Sequence, residues 1–118
     1  MAIKDEMQAV CDAYVSAYRA GDAPGCAASF AEDGMMYSVF APPAVGRAAI
    51  AATHRDWVVD GAGKTLTVTD AGGAGDVAWF LASFAEGEET GEGFSLAVCE
   101  RKPGGTWLIR ACSLTAAT

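Results

Sequence analysis

The second half of the chain constrains the fold most, because it consists almost entirely of predicted β-strands. Four runs rich in β-forming residues follow one another, at residues 64–70, 77–86, 94–101 and 106–114. Glycine-bearing turns separate them, at residues 72–75, 87–93 and 102–105. Short runs with turns of this kind are typical of antiparallel strands that are neighbours in one sheet.

The spacing of apolar residues ahead of these strands predicts three helices. Apolar side chains recur at steps of three and four between residues 3 and 20, so they form one stripe on a helix that Gly21 ends. Asp22 is a suitable N-cap for a short second helix, which carries Pro24 in its first turn and ends in the sequence AASF. A third helix is predicted over residues 47–59.

One further strand is predicted between the second and third helices. The sequence EDG turns the chain at residues 32–34, and the apolar run MMYSVF follows at residues 35–40. Pro42 and Pro43 end this strand, since neither can donate to a β-ladder. The order of elements predicts an α+β fold, in which a curved antiparallel sheet wraps around three N-terminal helices as a single domain over residues 1–118.

Charge and composition narrow the classes of partner. Fifteen acidic and eight basic residues give a net charge of −7, which disfavours binding to nucleic acid or to an anionic membrane. No run approaches the ~20 apolar residues of a membrane-spanning helix, and the first ten residues carry charges where a secretory signal is apolar. We therefore expect a cytoplasmic protein with reduced thiols.

The sequence contains no signature of a metal ion or an organic cofactor. The four cysteines are widely spaced and form no C-x-x-C pair, and the chain has a single histidine. It lacks the glycine-rich motifs that bind dinucleotides or nucleoside triphosphates. We expect neither a metal nor a cofactor.

Two of the predicted strands are apolar on both faces. The runs VAWFLASF and FSLAVC, at residues 77–84 and 94–99, allow no polar face to the solvent. A sheet with such strands needs a cover on each side, and the helices can cover only one. We expect a second copy of the chain to cover the other face, as a homodimer; a monomer with a partly apolar surface is the alternative.

Four segments in order resemble the nuclear transport factor 2-like superfamily, and within it the SnoaL-like and ketosteroid-isomerase-like proteins. They are AYVSAYRAGD at residues 13–22, FAEDG at 30–34, GRAAIAATHRDW at 46–57 and KPGGTWLIRACSL at 102–114. The resemblance covers nearly the whole chain. It implies a cone-shaped sheet whose wide end, roofed by helices, holds an apolar pocket for a small molecule.

The resemblance also implies roles for particular residues. Tyr14 corresponds to the tyrosine that donates a hydrogen bond to an enolate oxygen in steroid isomerases, and His54 lies near the position of a second tyrosine that supports the first. A hydrogen bond between Tyr14 and His54 is therefore predicted, with both as candidate catalytic residues. A further set of residues is predicted to form the wall of this pocket, with the tryptophans included because flat rings suit flat ligands: Tyr18, Met36, Ser38, Phe40, Trp57 and Trp79.

The chain departs from steroid isomerases at two positions. Ser38 stands where those enzymes have the carboxylate that moves the proton, and a hydroxyl is too weak a base for that task. A small residue, at or near Ala97, replaces the second acid of the oxyanion site. The predicted function is binding of a small hydrophobic or aromatic metabolite, with cofactor-independent isomerisation or cyclisation as the activity. A non-catalytic ligand-binding or dimerisation module with the same cavity is the alternative, and an interaction domain that acts through its sheet face is a third. The structural interpretation of Tyr14, Tyr18 and His54 is that they are core residues.

Overall fold

A computed structural model describes residues 2–86 and 92–116. Three α-helices occupy the first half: α1 (Ile3–Arg19), α2 (Ala23–Ala28) and α3 (Arg47–Trp57), the last continued by a 3-10 segment (Val58–Gly63). The strands are β1 (Phe30–Ser38), β2 (Ala44–Val45), β3 (Lys64–Ala74), β4 (Val77–Glu86), β5 (Gly93–Arg101) and β6 (Trp107–Ala116). The predicted α+β class is confirmed. Most of the predicted turn at 87–93 lies outside the described residues.

The six strands form one sheet in the order β2-β1-β6-β5-β4-β3. The pairs from β3 to β6 are antiparallel, as predicted, whereas β1 runs parallel to β6. The sheet is therefore mixed and not antiparallel throughout. A parallel pair needs a long crossover, and here α3 and the strands β3 to β5 provide the connection between β1 and β6.

The first strand begins earlier than the sequence predicts. It starts at Phe30, which pairs with Ile109, and it resumes regular pairing at Met35 opposite Ala111. The sequence EDG, predicted as a turn, lies in an irregularity of register between these two pairs. An irregularity of this kind lets turn-forming residues remain within a strand.

Helix α1 packs on the inner face of the sheet, which we define as the face that it covers. The predicted apolar stripe of this helix is buried at Met7, Cys11, Tyr14 and Tyr18. The 3-10 segment approaches the same helix closely, since a β-carbon on Gly61 would lie 2.7 Å from the Tyr18 ring. A residue larger than glycine at that point would therefore displace Tyr18.

The first turn of α2 is capped as the sequence predicts. The carboxylate of Asp22 accepts a hydrogen bond from the backbone N–H of Gly25 at 2.9 Å. Among the described residues, no helix is both long enough and apolar enough to cross a membrane.

Side chains of α1 cover the open edge of the sheet at β3. The amide nitrogen of Gln8 donates to the carbonyl of Leu66 at 3.0 Å, and its amide oxygen accepts from the N–H of Val68 at 2.8 Å. Arg19 donates to the carbonyl of Lys64 at 2.7 Å. These contacts satisfy backbone groups that would otherwise be free to pair with another strand.

The other face of the sheet, here called the outer face, is apolar and exposed. Its side chains alternate along β4 and β5 with the buried ones of the inner face. The exposed members on these two strands are Val77, Trp79, Phe94, Leu96 and Val98. The prediction that these strands are apolar on both faces is confirmed by this alternation.

Replacing Gln8 by alanine removes two hydrogen bonds to β3 at once. We expect Gln8→Ala to lower the free energy of unfolding by about 1–2 kcal/mol, because two backbone groups lose their partner. Urea denaturation followed by circular dichroism measures this loss. Ser16→Ala, at an exposed position of the same helix, is the matched control and should unfold like the wild type. Equal stability of the Gln8→Ala and wild-type proteins would contradict the assignment.

Candidate ligand pocket

A narrow cavity lies between α1 and the inner face of the sheet. Its volume is about 30 Å³. Most of its wall is apolar and comes from α1 and from five of the six strands, with Phe30, Met36 and Phe80 among the lining residues. Three polar side chains also line it: Tyr14, Lys64 and Ser95.

The cavity is small compared with most ligand pockets. Such pockets usually measure roughly 300–1,000 Å³. A volume of 30 Å³ holds about two water molecules or a compound of a few heavy atoms. A ring-sized ligand therefore requires movement of the wall.

Two neighbouring helices bring Tyr14 and His54 together. Both side chains are buried, one on the stripe of α1 and the other on the inward side of α3. The Tyr14 hydroxyl oxygen lies 2.6 Å from His54 Nε2, so the predicted hydrogen bond is present. Asp56, two residues after His54 on the same helix, is exposed.

The direction of this hydrogen bond follows from the other nitrogen of the ring. His54 Nδ1 lies 2.8 Å from the carbonyl oxygen of Ile50, which can only accept. Nδ1 must therefore carry a hydrogen, and in a neutral imidazole Nε2 is then an acceptor. It follows that the Tyr14 hydroxyl donates a hydrogen bond to His54. Towards any other group, its oxygen can act only as an acceptor.

The direction of this hydrogen bond differs from the one that the family resemblance implies. A tyrosine that stabilises an enolate must donate to the ligand, whereas the Tyr14 proton is directed at His54 while the imidazole is neutral. Burial keeps both groups uncharged, since it raises the pKa of Tyr14 well above its usual value and lowers the pKa of His54.

A second polar cluster lies one helical turn along α1 from the first. The Tyr18 hydroxyl donates to Glu86 Oε1, and Lys64 Nζ lies 3.3 Å from the same oxygen. The Lys64 ammonium group also lies 4.6 Å from the ring centroids of both Tyr18 and Phe84. Burial lowers the pKa of Lys64, and the negative charge of Glu86 partly opposes this.

Sequence reasoning did not single out Lys64 as a site residue. A lysine that begins a strand after two glycines is usually exposed, yet Lys64 is only 3% exposed. The signal was the alternation in β3, where Lys64 shares a phase with Leu66 and Val68 and the threonines between them point outward. Ser95 could have been found in the same way, since Gly93, Ala97 and Cys99 share its inward phase.

The remaining residues predicted for the pocket wall are placed in different surroundings. Met36 is buried and lines the cavity, whereas Tyr18 contacts Glu86 beside it. The half-buried Trp57 packs edge-on against His54, with ring centroids 5.0 Å apart. None of these contacts establishes a role in binding.

Ser38 is the last residue of β1, and Phe40 lies just beyond the strand. The Ser38 hydroxyl accepts a hydrogen bond from the backbone N–H of Phe40 at 2.9 Å. Phe40 is half exposed and packs edge-on against Phe84, which lines the cavity. Neither residue is part of the lining itself.

Trp79 lies on the wrong face of the sheet for the predicted role. Its neighbour Phe80 faces inward, so the period of two places Trp79 on the outer face, where it is 39% exposed. The indole lies across Gly72, at which a β-carbon would come within 2.7 Å of the ring nitrogen. The expectation that Trp79 forms the pocket wall is therefore corrected.

The thiols beside the cavity are poor nucleophiles. Burial raises the pKa of Cys11 and of Cys112 to about 12, so both stay protonated near neutral pH. Within residues 2–86 and 92–116, no group of three or more His, Cys, Asp or Glu side chains could hold a metal ion.

The chain matches the sequence model of one known protein family. Residues 11–101 match the family model of the SnoaL-like domain, so the chain belongs to this family. A search of curated protein sequences finds no match.

Several solved structures share the fold. A ketosteroid isomerase-like protein from Erwinia carotovora atroseptica superposes with a TM-score of 0.81 at 16% identity, covering 98% of this chain and 96% of that one. ActVI-ORFA from Streptomyces coelicolor gives a TM-score of 0.70 at 21% identity, covering 98% and 97%. A nuclear transport factor 2-like protein with a cystatin-like fold from Novosphingobium aromaticivorans gives 0.72 at 23% identity, covering 96% and 80%. At these identities the likeness shows the fold alone.

The lowered pKa of His54 predicts how stability depends on pH. The folded state favours the neutral imidazole, so the unfolded state binds more protons below its own pKa of about 6.5. This contribution is fully present above that pH. It is lost as the pH falls towards the folded pKa, by at most about 1.4 kcal/mol per pH unit.

Urea denaturation between pH 7.5 and pH 5 measures this dependence. His54 is the single histidine of the chain, so its imidazole NMR signals report this group alone. His54→Gln should flatten the pH dependence in this window. A wild-type stability that is constant from pH 7.5 to pH 5 would contradict the assignment of a buried neutral imidazole.

Proposed function

We propose that the protein binds a small hydrophobic or aromatic molecule in the cavity between α1 and the inner face of the sheet. The observation that carries this proposal is the buried hydrogen bond between Tyr14 and His54 at the wall of a mostly apolar cavity. Apolar pockets with few polar groups are typical of small-molecule sites. Membership of the SnoaL-like family is consistent with such a role.

The direction of the hydrogen bond selects the polar group of the ligand. With neutral His54, the phenol oxygen of Tyr14 can accept a hydrogen bond but has no proton to donate. A ligand with a hydroxyl or an N–H group therefore complements this wall better than one with a carbonyl alone. The apolar remainder of the ligand would lie against side chains such as Met36 and Phe80.

The same pair supports proton transfer as the catalytic step of an isomerase or cyclase. A ligand hydroxyl can pass its proton to the Tyr14 oxygen while Tyr14 passes its own proton to His54 Nε2. This leaves a ligand oxyanion and an imidazolium, and the reverse transfer restores the starting state. The base is then His54 acting through Tyr14, and Ser38 has no part in it.

Entry of a ring-sized ligand requires the cavity to widen beyond its 30 Å³. The contact between Phe40 and Phe84 is a candidate for this movement. Phe40 is 48% exposed, so its displacement loses less buried apolar area than displacement of a core residue. Phe84 could then turn away from the cavity.

Phenol and toluene test the proposal, because they have nearly the same size and differ in the hydroxyl donor. We expect phenol to bind the wild type about fivefold more tightly than toluene, since one hydrogen bond contributes about 1 kcal/mol. NMR titration of the backbone amides measures both affinities. In the double variant Tyr14→Phe, His54→Leu the preference for phenol should disappear, because neither the phenol oxygen nor His54 Nε2 is then present to accept a hydrogen bond.

Tyr37→Phe is the matched control, because Tyr37 is an exposed tyrosine. It should leave both affinities unchanged. Equal affinity of the wild type for the two compounds would overturn the acceptor role of Tyr14, and absence of binding by either would overturn the pocket.

We propose as a second function that the outer face mediates a homodimer. Five large apolar side chains are exposed on β4 and β5, and paired strands bring Trp79 beside Val98 and Leu81 beside Leu96. Contiguous apolar patches of this kind are typical of protein interfaces. An isologous contact would cover the patches of both copies.

Leu96→Glu tests the homodimer, because Leu96 lies within the exposed patch of β5. A glutamate there would bury an unpaired charge in the interface, so we expect monomers at concentrations where the wild type is dimeric. Light scattering after size-exclusion chromatography measures the mass. Ala52→Glu, at an exposed position of helix α3, is the control and should remain dimeric. A monomeric wild type would contradict the proposal.

A further inference from the structure

Lys64 is a buried amine at the wall of the cavity, and the proton transfer described above does not use it. Its side chain is 4% exposed and is paired with Glu86, as a lysine buried to this degree usually is. Its ammonium group also contacts the rings of Tyr18 and Phe84, each centroid at 4.6 Å. The nitrogen is therefore shielded from water by two aromatic rings, with one carboxylate beside it, next to the space where a small molecule could bind.

Such surroundings make an amine more nucleophilic. Removing an ammonium group from water disfavours its charged form, and a larger share of the side chain is then the neutral amine. Burial lowers the pKa of Lys64 in this way. Glu86 Oε1, at 3.3 Å from Nζ, is placed to accept the proton that the ammonium group loses.

We propose that Lys64 forms an imine with a small aldehyde or ketone that enters the cavity. This inference rests on the proposed function in one respect, which is that the cavity admits a small molecule. The volume of about 30 Å³ limits the compound to a few heavy atoms, or to the carbonyl end of a longer one.

The reaction balances without any further reactant. Glu86 takes one proton from the Lys64 ammonium group, and the nitrogen lone pair forms a bond to the carbonyl carbon. A proton then moves from nitrogen to oxygen, which gives a carbinolamine. Glu86 returns its proton to the carbinolamine hydroxyl, which leaves as water. The product is a protonated imine on Lys64 Nζ, and nothing is oxidised or reduced.

The three lysines of the chain provide an internal comparison. Lys4 and Lys102 are both exposed, and Lys102 lies 4.0 Å from the carboxylate of Glu100. Water around an exposed lysine stabilises its charged ammonium form, which cannot attack a carbonyl. An imine that forms preferentially at Lys64 therefore reports the environment of this side chain and not the general reactivity of amines.

Trapping with acetone and sodium borohydride tests the proposal on the folded wild-type protein near pH 7. Borohydride reduces an imine of acetone to a stable isopropyl amine, which peptide mass spectrometry locates. We expect Lys64 to carry several times more adduct than Lys4 or Lys102, because burial leaves a larger share of this amine neutral and because Glu86 is placed to accept its proton. The preference should vanish in urea. Equal or lower labelling of Lys64 in the folded protein overturns the proposal.

Variants and a second probe distinguish a failure of imine formation from a failure of binding in the cavity. Lys64→Arg should abolish the preferential adduct and Lys102→Arg should leave it unchanged; if Lys64→Arg does not fold, the comparison of the three lysines decides. Propan-2-ol has the size of acetone but no carbonyl. Amide shifts around the cavity with propan-2-ol, without an adduct from acetone, overturn the imine and leave the pocket standing. Absence of both overturns the two proposals together.

Discussion

Helix α1 packs against the inner face of the sheet along a single stripe, and the arrangement of the interior depends on this contact. Met7, Cys11, Tyr14 and Tyr18 lie on that stripe and are all buried. Burial of large apolar and aromatic side chains contributes roughly 1.5–3 kcal/mol each, so this face anchors the helix strongly. The same packing brings two phenol groups into the core, where each needs a hydrogen-bond partner.

The two tyrosines find different partners because they lie one helical turn apart. The Tyr14 hydroxyl is hydrogen-bonded to His54. The Tyr18 hydroxyl is hydrogen-bonded to Glu86, which Lys64 also contacts. Unpaired polar groups in an apolar interior cost several kcal/mol, and the described residues contain no buried side-chain polar atom without a partner. Each phenol is therefore the hydrogen-bond partner of an ionisable side chain. One member of each cluster, Tyr14 in the first and Lys64 in the second, lines the cavity.

The sequence predicted the helices and the strands of the second half well, since each rests on a local pattern. The cap at Asp22 and the inward phase of α1 follow from neighbouring residues alone. The start of β1 at Phe30 was missed because the residues EDG are typical of turns, whereas pairing with β6 keeps them in a strand. Trp79 was placed in the pocket wall because a flat ring suits a flat ligand, although the inward phase of its neighbour Phe80 puts it on the outer face.

The sequence by itself determined the α+β class and the hydrogen bond between Tyr14 and His54, which follow from periodicity and from a resemblance that spans the chain. Only the tertiary structure decided the direction of that bond, because it depends on the contact between His54 and the Ile50 carbonyl. It also decided that Glu86 lies beside Lys64, whose burial follows the alternation of β3. Contacts between residues distant in sequence depend on how the elements pack, and no local pattern encodes them.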